Sequence, residues 1–227
     1  MKTIVEYINH SGYAVETENH ILLFDYVNGE LPKLDKPTLI ISTHGHKDHF
    51  NKDILDIEGN VKILLSSDIK QEHDLKQQNN VFYIEPNTKR YIGDFQVETF
   101  GSTDQGISVF VYVDNLGIFH AGDLNLWLWD EDTREEKNQM TELFRKEINK
   151  IRRKNVEIAM FPLDARLGKY TNSGITYFMD NVKPKHLFPM HLWDDLSTAQ
   201  DFKNNTKSEK TTIYAPTHDN EKFEIEI

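Results

Sequence analysis

Eight consecutive residues, Ser42-Thr43-His44-Gly45-His46-Lys47-Asp48-His49, set three imidazoles and one carboxylate within six positions, directly after the apolar stretch 37–41. That stretch reads as a buried strand. Alternate residues of an extended segment face the same way, so His44 and His46 project together from the strand end, and the turn that follows re-aims Asp48 and His49. Imidazole and carboxylate suit zinc, iron or manganese, and four ligands on one short loop hold an ion where a substrate can reach it.

Composition narrows what surrounds this loop. With 227 residues, 38% of them apolar, the chain can bury a full core, and no Pro/Gly/Ser linker divides it, so residues 1–227 are expected to form a single domain. No apolar run reaches the length of a membrane span, and the first residues lack the layout of an export signal, which predicts a cytoplasmic protein. The absence of cysteine excludes disulfides and thiolate ligation, leaving the 10 histidines and the carboxylates as metal ligands. A formal charge of -11 disfavours binding to polynucleotides, although Arg145-Lys146 and Arg152-Arg153-Lys154 form a local basic stretch.

The first half reads as short strands: 3–8, 13–17 and 21–26 as an antiparallel meander, then 37–41, 61–65, 81–84, 95–100, 108–113 and 117–120, the last two joined as a hairpin by Asp114-Asn115. A polar helical piece is expected near 67–75. From Asp130 the period changes, because Met140, Leu143, Phe144, Ile148 and Ile151 recur at helical spacing behind a Thr133/Glu136 capping box, which predicts a helix to about Arg153. A strand at 156–161, a helix at 173–181, a strand at 186–188, a helix at 196–205 and two short strands complete the chain. Strand-rich first half and strand–helix second half together predict layered sheets with helices outside, and strand ends along one shared edge.

Two further segments carry suitable chemistry. Residues 118–125 end a strand in the small-residue turn Ala121-Gly122-Asp123, and residues 186–191 deliver His191 to a strand end after Pro189. The His44-x-His46-x-Asp48-His49 run, the Gly122-Asp123 strand end and the terminal Pro189-x-His191 resemble, in order and spacing, the metallo-β-lactamase superfamily of metal-dependent hydrolases. His10-Ser11-Gly12, before a strand pair ending in Leu23-Phe24-Asp25, looks like the opening of its lactonase-like and phospholipase-like branch. The resemblance implies an α/β fold, a four-layer αββα sandwich with the site at the sheet edge. It also implies that His44 and His46 hold a first metal, that Asp48, His49 and His191 hold a second, and that Asp123 bridges them.

The superfamily's third histidine for the first metal is missing, since no histidine lies between His73 and His120. Asp104 is the replacement candidate by counting back from Asp123, and Ser102 aligns about as well from Gly106. Three outcomes stay open: two metals with Asp104 included, one metal at Asp48/His49/His191, or a degenerate site without turnover. Zinc is the first expectation for these one or two divalent ions, and oxygen ligation by Asp104 would move the preference toward manganese or iron.

Other residues are placed near the edge by their position. Asp164 and Arg166 follow a buried strand, and Arg166 has the planar fork that clamps phosphate or carboxylate. Trp127, Trp129 and Trp193 fall just after Asp123 and His191, where aromatic rings can wall a pocket. His120 is expected to support the ligands, whereas His20, His73, His186 and His218 are expected at the surface.

A divalent ion lowers the pKa of bound water from about 15.7 toward about 7, so the expected chemistry is hydrolysis of a small-molecule ester, lactone or phosphodiester, with Asp48 orienting the water and taking its proton. Antibiotic hydrolysis is not expected, because a shared fold does not transfer a substrate. The competing readings are a metal-binding or regulatory protein on the same scaffold and a phosphodiesterase acting on nucleic acid, the latter opposed by the net charge. No exposed heptad or apolar stripe reveals an oligomeric state.

Overall fold

The computed structural model describes residues 2–193 and 195–227. Its first sheet comprises β1 (Lys2–Asn9), β2 (Gly12–Glu16), β3 (Ile21–Phe24), β4 (Thr38–Ser42), β5 (Val61–Ser66), β6 (Val81–Ile84) and a late strand, β14 (Glu221–Glu226), in the order β14-β1-β2-β3-β4-β5-β6. The second comprises β7 (Lys89–Ile92), β8 (Phe95–Phe100), β9 (Ser108–Val113), β10 (Leu116–His120), β11 (Ile158–Pro162), β12 (His186–Met190) and β13 (Thr212–Ile213), in the order β13-β12-β11-β10-β9-β8-β7. Both sheets are mixed.

Side-chain alternation explains how the sheets face one another. Leu22, Phe24, Leu39 and Ile41 join the large buried cluster that also holds Val97, Val109, Val111 and Ile118 of the second sheet. Their neighbours Leu23, Ile40 and Ile63 turn to a second cluster, with Ile69 of α1 (Ser67–Glu72) and Ile54 of a 3-10 turn at Lys52–Asp56. The outer face of the second sheet is covered by α2 (Arg134–Ile151) and α3 (Ser173–Val182). There Phe178 stacks on Phe119 at 5.4 Å and on Phe161 at 4.4 Å, and Phe144 meets Phe161 edge-on. The result is the αββα sandwich, with a thinner helical layer over the first sheet; α4 (Ser197–Asn205) follows β12.

Strand direction positions the site. β1, β3 and β4 run the same way in the first sheet, as do β8, β10, β11 and β12 in the second. Their carboxyl ends carry His10, Asp25, the histidine loop, residues 101–106, Asp123, Asp164 and His191. All meet at one edge, as the functional ends of such sheets do.

Local signals account for most boundaries. The capping box forms, since Thr133 accepts the Glu136 amide and Glu136 accepts that of Thr133. The β9–β10 hairpin turns through Asp114 and Asn115, both at positive φ (48° and 63°), the left-handed pair that matches strand twist. Several expectations differ from the structure. β3 stops at Phe24 because Asp25 takes φ 43° and turns inward, α1 stops at Glu72 instead of continuing to 75, and β7 was not expected, because its exposed Lys89-Arg90-Tyr91 has no apolar alternation. His20 is buried, not at the surface: its ring pairs with Asp114 at 3.0 Å, tying the β2–β3 turn to the β9–β10 hairpin. His73 and His186 are half-buried and His218 is exposed. Among the described residues, no helix is long and apolar enough to cross a membrane.

Candidate metal centre

The histidine loop leaves β4 under tight backbone control. The Thr43 amide and hydroxyl both donate to the Asp25 carboxylate at 2.8 Å, and Thr43's carbonyl accepts the Ile107 amide at 3.0 Å. Two glycines permit this approach. Gly106 has φ 72°, and a Cβ there would lie 2.1 Å from the Thr43 carbonyl oxygen; Gly122 has φ 53°, and a Cβ there would lie 2.6 Å from that of Ile107. Closure at these points presses residues 101–106 and the Asp123 turn against His44.

Two buried imidazoles, His49 and His191, are oriented through Nδ1, which leaves Nε2 for the centre. His49 Nδ1 donates to Asp25 at 2.7 Å, and His191 Nδ1 donates to Asp164 at 2.9 Å. Carboxylates behind ligating histidines fix ring and tautomer in this way. His120 lies one layer further in, stacked on Phe24, donating from Nε2 to the Ser11 carbonyl and accepting the Gly122 amide at Nδ1. Burial lowers its pKa.

Two donor groups result, His44/His46/Asp123 and His10/Asp48/His49/His191, each with ligand atoms mutually within 4.8 Å. Asp123 stands between them: Oδ2 is 3.4 Å from His44 Nε2, while Oδ1 is 3.2 Å from His49 Nε2 and 3.6 Å from His191 Nε2. Nε2 of His10, Nε2 of His49 and Oδ1 of Asp123 are buried without a hydrogen bond. Unpartnered buried nitrogen and oxygen converging on one point, with only imidazole and carboxylate donors, fit one or two divalent ions.

Electrostatics agree with that fit. Burial raises the pKa of the Asp123 carboxyl, but the His49 charge and the close approach of the His44 and His49 rings outweigh it and hold the group well below the usual range. Asp25 is likewise lowered against burial, by His49 and His120. Burial works against the charged form of His49, yet Asp123 and Asp25 raise it well above the ordinary histidine value. Asp48 is lowered mainly by its contact with His10, and Asp164 by His191 and Arg166 against the opposing effect of burial.

The structure thus brings together His44, His46, Asp48, His49, Asp123 and His191. Asp104 lines the adjoining cleft without joining either donor group, and the Ser102 hydroxyl is engaged by the Asp104 amide, so the first group has three members. Asp164 is fully buried and spends its oxygens on His191 and on the Arg166 fork, whereas Arg166 itself reaches the cleft. His10 is the member that sequence reasoning used only as a motif marker. Its φ of 44° turns the ring from the end of β1 toward Asp48, 3.4 Å away, and its carbonyl accepts the His191 amide at 2.9 Å. The available signal was positional: like His191, it directly follows a strand.

The family profile described as the beta-lactamase superfamily domain matches residues 4–191. The fold is that of the metallo-β-lactamase superfamily, and the chain belongs to it. No curated protein matches the chain. Similar solved structures include Igni18, a metallo hydrolase from Ignicoccus hospitalis (14% identity, TM-score 0.70, all of both chains covered). CmlA, a diiron β-hydroxylase from Streptomyces venezuelae, is 10% identical with a TM-score of 0.60, over 99% of this chain and 54% of that one. A diphosphatase of the PhnP family is 12% identical with a TM-score of 0.59, over 100% and 99% of the two chains.

Proposed function

We propose that the protein is a metal-dependent hydrolase that cleaves a small-molecule ester, lactone or phosphodiester. The observation that carries this reading is the pair of donor groups sharing Asp123 at the floor of a cleft of about 480 Å³, open to solvent beside His46, Asp48 and His191. A divalent ion held there supplies an activated water and polarises the oxygen of the bond under attack. Zinc is the proposed occupant, with manganese or iron as alternatives for a site that contains no sulfur ligand. Asp48 faces the cleft ionised, orients the attacking water and takes its proton. Asp123 spans both donor groups, and Asp25 and Asp164 hold two of the rings in place.

The Ignicoccus metallo hydrolase and the PhnP-family diphosphatase share the fold, which is compatible with hydrolysis but assigns no bond. A second reading, metal binding without turnover, is favoured by the three-member His44/His46/Asp123 group. Metal analysis combined with assays on bis(p-nitrophenyl) phosphate and a panel of lactones separates the two. Turnover that disappears with the metal supports the hydrolase; full metal occupancy with no turnover across the panel supports the binder.

A further inference from the structure

The chain contains three tryptophans, and all of them, Trp127, Trp129 and Trp193, line the cleft beside the donor groups. Trp129 and Trp193 are 37% and 45% exposed, and the Trp193 ring also packs against that of His10, with centroids 4.4 Å apart. Trp127 is held in place by its indole N–H donating to the Asp123 carbonyl at 2.9 Å. Among the described residues, Arg166 is the one arginine or lysine lining this cleft, and it lies over the Trp193 ring at 4.6 Å. A second cavity of about 680 Å³, with both polar walls (Asn9, Asn28, Lys47) and apolar ones (Val27, Leu196), adjoins the first and shares Asp48 and Trp193 with it.

Resting on the hydrolase reading above, we propose that the substrate is a phosphodiester of a flat aromatic group, a nucleoside or an aryl alcohol. The aromatic part stacks among the tryptophans, the phosphate lies between Asp48 and Arg166, and the second alcohol enters the second cavity. Every base and aryl ring offers a π-face to such walls. Asp164 already takes Nε and Nη2 of Arg166, and the Nη1 edge is left to donate to phosphate oxygens. A diester, with a substituent on each side of phosphorus, uses both cavities, which a lactone or a monoester does not. In the reaction water oxygen bonds to phosphorus and one P–O ester bond breaks. The departing alkoxide leaves as the alcohol with one proton of the water, and the other proton stays with the phosphomonoester.

Because all the tryptophans line this cleft, fluorescence excited selectively at tryptophan and not at tyrosine reports on it. The test titrates metal-loaded protein with thymidine 5′-monophosphate, phenyl phosphate and methyl phosphate, and measures bis(p-nitrophenyl) phosphate hydrolysis in parallel. Saturable quenching by the two aromatic phosphates, with at least about tenfold tighter binding than methyl phosphate, is expected. Trp129→Ala should remove roughly that factor, and Arg166→Gln should weaken both phosphates while leaving uncharged thymidine unchanged. The tighter of the two aromatic ligands identifies the source. Equal affinity for methyl phosphate, or an unaltered Trp129→Ala titration, overturns the proposal. Hydrolysis that persists in that case leaves the hydrolase reading intact, whereas aromatic binding with no hydrolysis of any ester removes the hydrolase reading alone.

Discussion

His46 and His49 are three residues apart and face the same centre, yet their surroundings give them different energetic roles. His46 is exposed, and its Nδ1 lies 3.1 Å from His44 Nε2. His49 is fully buried between Asp25 and Asp123. His46→Ala should therefore abolish activity and lower metal content while moving the urea midpoint little. His49→Ala leaves two buried carboxylates without their shared partner and should cost about 3 kcal/mol in urea denaturation of the metal-free protein. Equal stability of the two variants would contradict this assignment. Legibility at this scale followed sequence clustering. The four donors at 44–49 announce themselves, but His10 is solitary, and its role depends on β1 meeting β12 across the two sheets. The reach of Asp104 was open in the sequence because hairpin length blurs residue counting.

At the scale of elements, capping and turn chemistry were readable because they act over a few residues. Thr133 and Glu136 start α2, and Asp114-Asn115 turns the hairpin. What was not readable is the second use of Asp114. Its carboxylate accepts from the Thr17 hydroxyl at 2.6 Å and from the Asn19 amide at 3.0 Å, and it pairs with buried His20. Burial raises its pKa, but these donors prevail and hold it at about 2, against an ordinary 3.8. A lowered carboxyl stabilises the fold above its unfolded-state value, and that contribution disappears as the pH falls through the folded one. Asp114→Asn retains a side chain that tolerates the left-handed turn, so the variant isolates the charge. It should be about 1–2 kcal/mol less stable than wild type above about pH 4, with the gap closing toward pH 2 in chemical denaturation. A gap independent of pH would mean that the loss is steric.

On the scale of the whole molecule, the centre draws donors from both sheets, so an ion there joins them. β1 and the loop after β4 supply His10, His44, His46, Asp48 and His49, and the ends of β10 and β12 supply Asp123 and His191. An ion that binds the folded chain at a hundred times its dissociation constant adds about 2.7 kcal/mol. Chelation should then lower Tm by roughly 5–10 °C for a chain of this length, reversibly on adding metal back. No shift on complete removal would mean that the donors are already held in place without it. The layered architecture was readable because apolar strands and one amphipathic helix occur in a fixed order. Pairing order was not, since β14 crosses back from residue 221 to lie beside β1, a contact between opposite ends of the fold.

That late strand also has a bearing on synthesis. Every donor of the centre has been translated once His191 is made, but the outer backbone edge of β1 has no strand beside it until Glu221–Glu226 emerges. During that interval a nascent chain presents a bare apolar strand, the kind of surface on which other polypeptides add. The charged ribbon Glu221-Lys222-Phe223-Glu224-Ile225-Glu226 then closes it, placing acidic side chains where a stray strand would otherwise dock.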